Sequence, residues 1–383
     1  MESFAEYGAW KPDALTRILC ELIEKAPRRD WHNYRVSAID DNKVHRSGEH
    51  VWGTCTFHEY TARCPNRATT VRAHNRVALG ILLGDDGQPA WYLPVSGRLY
   101  FRKSQLPERP KAPGSTEPFR TKCELAVELL REQARISGGA HLGVFDGGYA
   151  LKNMVRPLVM PEDGSPRVEI LTRLRHDARL YALPPAQRKK GQRGPMPKWG
   201  RKLSPPHRGG RWPGTWRKGE AFIHGRMRKV RWKEVVCLWR VLGHDVTVKA
   251  VVACVEGYKK RFTVVTSAVG LTGLQAVELF CARFRQEDGF RDLKQRLGRE
   301  ECRAWTKAPI ERTTQVQWMM MSLLRLLQFR LDTEGSGDWW SAPPWDKKKD
   351  RPSVLDVERL LRRHRPEIQQ LLSAWLGDEG RAA

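Results

Sequence analysis

The order of secondary-structure signals constrains the fold of this chain more than any other feature. Three β-forming runs between residues 36 and 83 come first, and a fourth at 90–100 can extend them. A helical pattern, Arg120 to Ile136, follows, and residues 142–174 then read as strand, helix and strand. Successive strands predict an antiparallel meander, and the strand-helix-strand unit predicts parallel pairing. We therefore expect an α/β fold with a mixed sheet flanked by helices.

Two of the predicted strands end in aspartates. The run Val36 to Ile39 continues into Asp40 and Asp41, and the later run Leu142 to Phe145 delivers Asp146 just before two glycines. Open α/β sheets place their sites at the carboxyl ends of strands, so these carboxylates are candidate site residues. Each also has a structural interpretation, as a turn for the aspartate pair and as a helix cap for the third.

A further polar group lies on a predicted long helix, Leu271 to Gly298. At 100° per residue, its members fall within a stripe about 60° wide. An amphipathic helix with incidental charge pairs four residues apart is the alternative interpretation. The stripe consists of Phe280, Arg283, Glu287 and Lys294.

Composition limits the class of protein. The chain has 68 Lys and Arg against 43 Asp and Glu, and the resulting net charge of +25 favours a polyanionic partner, above all nucleic acid. No run approaches 18 apolar residues, which argues against a membrane protein. Eight cysteines without a C-x-x-C pair predict reduced thiols and an intracellular protein.

Most of the excess charge lies in one segment. Residues 188–233 contain sixteen basic residues and one acid, which accounts for +15 of the total. Later runs at 235–242, 247–255 and 261–267 alternate as strands, so we expect a β-rich insertion. Interleaved tryptophans and cations are typical of nucleic-acid grooves, although a solvated basic loop with packed tryptophans is the alternative. The DNA-contact candidates are Arg211, Trp212, Trp216, Arg217, Lys218 and Trp232.

Three acids on neighbouring elements can form a metal site. Asp40, Asp146 and Glu287 offer oxygen ligands, which Mg²⁺ prefers. Such a set can hold two ions roughly 4 Å apart, the arrangement that activates a hydroxyl nucleophile and stabilises a leaving oxygen in phosphodiester transfer.

Three sequence motifs resemble those of the DDE transposases of bacterial insertion sequences. The glutamate of that family lies in a Tyr-x2-Arg-x3-Glu-x6-Lys signature, and Phe280, Arg283, Glu287 and Lys294 reproduce its spacing. The stretches AIDDNKVHRSG (38–48) and FDGGYA (145–150) look like the two aspartate segments. The resemblance implies a ribonuclease-H-like core with a β-rich insertion between the second aspartate and the glutamate.

The resemblance also implies roles for residues. Asp40, Asp146 and Glu287 would be catalytic metal ligands for Mg²⁺, with Mn²⁺ as a substitute, and Asp41 is the reserve for Asp40. Arg283, Lys294 and Phe280 would contact DNA near the cleaved end. In related transposases, the insertion provides a tryptophan that stacks on a flipped base. The implied partners are double-stranded transposon ends and target DNA, bound by a homodimer in the bacterial cytoplasm at the nucleoid, with no membrane.

The chain departs from the family pattern in two residues and in its short beginning. Phe280 replaces the tyrosine, Asn42 stands where threonine is expected, and about forty residues precede Asp40. Either the insertion and C-terminal helices recognise transposon ends, or the chain is a shortened relic. The predicted divisions are a helical lead-in (1–34), the core's first part (35–181), the insertion (182–270), the core's second part (271–332), and a linker with C-terminal helices (333–383).

The predicted function is Mg²⁺-dependent cleavage of DNA at element ends, followed by joining of the freed 3′ hydroxyl to target DNA. Two alternatives remain at the level of sequence. One is a DNA-binding relic of the same fold without catalysis, and the other is a ribonuclease-H-like nuclease. A Mg²⁺-dependent nicking assay separates the relic from the enzymes.

Overall fold

The computed structural model describes residues 2–26, 30–59, 70–106, 119–187, 194–334, 339–345, 349 and 351–370. Its helices are α1 (Glu2–Tyr7), α2 (Pro12–Glu24), α3 (Lys122–Ser137), α4 (Lys152–Val159), α5 (Gly273–Ala282), α6 (Arg285–Arg296), α7 (Lys307–Glu334) and α8 (Val354–Arg363). Its strands are β1 (Arg35–His45), β2 (Cys55–His58), β3 (Thr70–Leu83), β4 (Trp91–Tyr100), β5 (His141–Phe145), β6 (Val168–Arg173), β7 (Leu180–Tyr181), β8 (Arg217–Ile223), β9 (Arg226–Trp239), β10 (Thr247–Val255) and β11 (Phe262–Thr266).

The first half of the sheet has ribonuclease-H-like topology. Strand β3 pairs antiparallel with β1 and with β4, while β5 runs parallel to β1 and β6 parallel to β5. Strand β2 pairs with the beginning of β3. The mixed α/β class, the antiparallel strands and the β5-α4-β6 unit are therefore confirmed.

The second half of the sheet comes from the β-rich insertion. Strand β11 pairs antiparallel with β6, and β10 and β9 continue the sheet in antiparallel order. Strand β8 forms a hairpin with β9, and the short β7 pairs with the end of β9. The described strands of the insertion thus extend the core sheet instead of forming a separate one.

Apolar residues cover both faces of the sheet. Ile39 and Phe145 point toward the face covered by α2, α3 and α4, whereas Ala38 and Val144 point toward α5. Strand alternation sends neighbouring residues to opposite faces, which makes this division possible. A third cluster packs α6, α7 and α8 against β3. Within the described ranges, no helix has the length and apolar character to cross a membrane.

Two of the predicted elements that carry candidate site residues differ from the structure. Strand β1 does not end at Ile39 but continues to His45, because β3 pairs with it after β5 has ended. The predicted helix 271–298 is two helices that meet at Arg283 and Phe284, and bonds from Gln286 N and Glu287 N reach back only three residues. Such tightening of a turn bends a helix without proline.

Candidate active site

Asp40 and Asp146 lie at equivalent positions, directly after the parallel-paired parts of β1 and β5. The last paired residues of β1 and β5 are Ile39 and Phe145, so each aspartate is the next residue along its strand. The Asp146 side chain accepts a bond from the Gly148 amide, and the Thr172 hydroxyl donates to the Asp146 carbonyl over 3.0 Å. These bonds fix the turn that follows β5 and hold it against β6.

Asp40 and Asp41 lie on opposite faces of β1. On one face, Lys122 Nζ of α3 lies 2.5 Å from Asp41 Oδ2, and the Tyr149 hydroxyl donates to Asp41 Oδ1 over 3.3 Å. On the other face, Arg283 at the junction of α5 and α6 contacts Asp40. The aspartate that shares a face with the glutamate-bearing helix is therefore Asp40.

Arg283 connects Asp40 to Glu287. Its Nη1 donates to Asp40 Oδ2 over 2.8 Å, and its Nη2 lies 3.8 Å from Glu287 Oε1. The side chain is only 12% exposed, and its buried Nε has no hydrogen-bond partner among the described residues. A buried guanidinium between two acids holds the beginning of α6 against β1.

Negative charge accumulates at this edge of the sheet. Burial, with a smaller contribution from the carboxylates of Asp41 and Asp146, raises the pKa of Asp40 to about 6, although Arg283 lowers it. Like-charged carboxyl groups disfavour each other's ionised form, so a cation at this edge is stabilising.

Gln286 and Tyr92 hold α6 in place, and neither residue was singled out from the sequence. Gln286 is fully buried, and its amide donates to the Ala78 carbonyl and to the Tyr92 hydroxyl, each over 3.2 Å. A Cβ added at Gly80 or at Gly289 would lie within 2.6 Å of the Tyr92 ring. A glycine inside a helical pattern indicates close backbone approach, and Gly289 was the available signal.

Two further members of the predicted stripe have protein partners. Lys294 Nζ lies 3.2 Å from Glu300 Oε1. Phe280 is half-buried, with its ring centroid 5.9 Å from that of Phe262 and the Arg283 guanidinium 5.9 Å from its own centroid. Phe280 therefore packs beside the ion-paired arginine.

The three predicted stacking tryptophans occupy different environments. Trp212 is 2% exposed and donates to the Ser204 carbonyl over 2.7 Å, and Trp232 is 7% exposed beside Gly273 at the start of α5. Their rings are core residues in this conformation, with no face free for a base. Trp216 is half-buried, with Arg231 over its ring.

The predicted DNA-contact cations of the insertion are on its surface. Arg211, Arg217 and Lys218 are exposed, and Arg217 Nη1 lies 3.1 Å from Glu234. The same glutamate accepts a bond from the Gly273 amide over 2.6 Å, at the first residue of α5. The insertion thus supports the helix that leads to Arg283.

Comparison with known families agrees with this geometry. Residues 1–237 match the family described as DDE superfamily endonuclease. The chain belongs to this family. The matched region includes Asp40 and Asp146, and it ends inside β9, before Glu287. A search of curated proteins finds no match to the chain. Membership of the DDE superfamily endonucleases confirms the resemblance at family level, and it implies DNA as substrate.

Enzymes of the DDE superfamily generally use divalent metal ions. The carboxylates of Asp40, Asp146 and Glu287 are oxygen donors of the kind that hard cations prefer. Repulsion of Asp40 by Asp41 and Asp146 favours a cation beside Asp40. Among the described residues, no three His, Cys, Asp or Glu side chains lie close enough to hold an ion. The three acids fit a divalent ion in donor type, and Asp40 is ion-paired to Arg283.

Proposed function

We propose that this DDE superfamily endonuclease is a transposase of the insertion-sequence type. It cleaves DNA at the element ends by attack of water and then joins the freed 3′ hydroxyl to target DNA. The observation that carries the proposal is the ion-paired connection of Asp40 to Glu287 through Arg283, at the edge where Asp146 also ends its strand.

The proposed metal ligands are Asp40, Asp146 and Glu287, and the proposed ion is Mg²⁺, with Mn²⁺ as a substitute. When bound, the ion would lower the pKa of the attacking water and stabilise charge on the leaving oxygen. The protein's part is to hold three carboxylates on β1, β5 and α6. Asp41 is less suited to this role because Lys122 and Tyr149 hold it on the opposite face.

Arg283 and Lys294 are proposed to hold the DNA backbone near the cleaved bond. Arg283 already lies beside Asp40, and a DNA phosphate could accept hydrogen bonds from both of its terminal nitrogens in place of the two carboxylates. This exchange would release Asp40 and Glu287 at the moment when DNA arrives. Phe280 supports the arginine by packing under its guanidinium.

The insertion is proposed to bind the flanking duplex. Arg211, Arg217 and Lys218 present exposed cations for phosphates, and Trp216 is the remaining candidate for base stacking in the insertion. A homodimer would bring two transposon ends together. Light scattering of the complex with end DNA would measure its stoichiometry.

A single assay tests the proposal. Full-length protein is incubated with DNA that carries the inverted repeats flanking its gene, with Mg²⁺ and a target plasmid. A transposase gives nicks at the repeat ends and then joined products that require the 3′ hydroxyl. Nicks without joining would indicate a nuclease of the same fold, and binding without nicks would indicate the relic.

A further inference from the structure

Tryptophans outside the insertion form an aromatic groove beside the start of α7. The groove has a volume of about 690 Å³, within the range typical of ligand pockets, roughly 300–1,000 Å³. Trp305 is 69% exposed, Trp10 is half-buried, and Trp52 is nearly buried beneath them. A contiguous exposed apolar surface, unlike a single exposed residue, indicates an interaction site.

Cations surround these rings. Lys307 lies 5.5 Å from the centroid of Trp52, and Arg312 lies 5.5 Å from that of Trp10. Lys11 and His50 also line the groove, against a single acid, Glu311. Aromatic faces beside cations suit a nucleobase attached to phosphate, because the base stacks while the phosphate is neutralised.

A smaller cationic pocket adjoins the groove. It has a volume of about 270 Å³ and shares Pro12, Lys307 and Glu311 with the groove. Arg76 lines it, is 5% exposed, and has one guanidinium nitrogen, Nη2, without a hydrogen-bond partner among the described residues. A buried guanidinium nitrogen without a partner is costly, and an anion in this pocket would satisfy it. Arg98 and Arg120 also line this pocket, where both are ion-paired to acids of α3, and so does Asp13.

Two of the chain segments that line the groove continue from elements that carry candidate active-site residues. Strand β1 carries Asp40 and leads through residues 46–51 to Trp52, while α6 carries Glu287 and leads through residues 297–304 to Trp305. The Trp52 amide donates to the Trp305 carbonyl over 2.9 Å. Arg46 reinforces this connection, because its guanidinium donates to the carbonyls of Arg299 and Glu300.

We propose that the groove binds an unpaired nucleotide of the DNA substrate, with its base on Trp305 and its phosphate at Lys307 and Arg76. The net charge of +25 and the groove's own cations favour a polyanion over an apolar peptide. This inference rests on the proposed function, because it takes DNA as the substrate. It adds a single-strand site outside the insertion.

The test measures DNA binding without divalent ions, so that cleavage plays no part. A blunt duplex and the same duplex with an oligothymidine tail are titrated into full-length protein. Wild type should bind the tailed duplex more tightly. Trp305→Ala should weaken tailed binding about 5- to 150-fold, since one stacked base contributes that much, and leave blunt binding unchanged.

Two controls accompany this variant. Trp345→Ala removes another exposed tryptophan, 79% exposed and outside the groove, and should not change either affinity. Trp305→Phe retains an aromatic face and should recover most of the tail preference. Lys307→Gln should lower the slope of log K against log salt for the tailed duplex by about one.

Three results would overturn the proposal. The first is equal affinity of wild type for tailed and blunt DNA, and the second is a tail preference that survives Trp305→Ala. The third is tryptophan quenching by thymidine monophosphate at the same concentration as by the oligonucleotide, which would indicate a free-nucleotide site. Absence of all DNA binding would instead contradict the proposed function itself.

Discussion

Strand alternation places charged side chains differently in β1, at Asp40 and Asp41, and in β9 of the insertion. Alternation along β1 sends Asp40 toward Arg283, at the junction of α5 and α6, and Asp41 toward α3. In β9, alternation buries Val230 and Trp232 and leaves Lys229 and Arg231 on the surface. Charged side chains that face inward have protein partners, as Asp40 has in Arg283 and Lys233 of β9 has in the carbonyls of Gly210 and Trp212. Whether a residue binds DNA therefore depends on its face as much as on its type.

The largest expected effect is a loss of nicking activity when one of the three proposed metal ligands is replaced. Asp40→Ala, Asp146→Ala and Glu287→Ala should each reduce Mg²⁺-dependent nicking by roughly 10³-fold or more, as removal of essential catalytic groups does elsewhere. Duplex binding should persist, because the exposed cations are unchanged. Nicking rates on end DNA and gel-shift affinities measure the two effects.

The matched control for these variants is Asp41→Asn. It removes a neighbouring charge held by Lys122 and Tyr149 on the other face, so nicking should remain close to wild type. A reversed result, with Asp41→Asn inactive and Asp40→Ala active, would transfer the proposed ligand to Asp41.

Replacing the buried tryptophans of the insertion should affect the stability of the fold more than DNA binding. Trp212→Ala and Trp232→Ala each remove a buried indole and should lower the free energy of unfolding by about 3–5 kcal/mol. Trp216→Ala, at a half-buried ring, should cost less. Urea unfolding measures the difference, and unchanged stability of Trp232→Ala would show that its ring is not part of the core.

Replacing exposed cations of the insertion should change only the salt dependence of DNA binding. Arg211→Gln and Lys218→Gln together should lower the slope of log K against log salt by about two, with nicking at saturating DNA unchanged. Deleting residues 188–233 is a poorer test, since it removes β8 and half of β9. An unchanged slope in the double variant would place the duplex elsewhere.

The smallest effect concerns Glu278, a buried carboxyl on α5 that accepts from the amides of Gly87 and Phe222. Burial raises its pKa above the ordinary 4.5. The stability that it contributes is therefore fully present below about pH 4.5 and lost as the pH rises through the folded pKa. Glu278→Gln should be more stable than wild type at pH 7, because the amide accepts the same bonds without a buried charge. Equal unfolding free energies at pH 7 would contradict this.

The sequence by itself determined the class of fold and the spacing of the acids. Periodicity and strand order predicted the mixed sheet, because alternation and helical repeat reflect burial directly. Spacing placed Arg283 and Glu287 on one stripe, since residues four apart are neighbours in any helix. The two aspartate-bearing strands were found from apolar runs alone, although β1 proved longer than its apolar part.

Only the tertiary structure decided which face each residue occupies. The pairing of Asp40 with Arg283, and of Asp41 with Lys122 and Tyr149, depends on the register of β1 with β5 and on the positions of α3 and α6. The burial of Trp212 and Trp232, the bend at Arg283, and the assembly of Trp10, Trp52 and Trp305 into one groove all depend on contacts between segments far apart in the chain. Such contacts leave no periodic trace in a single sequence.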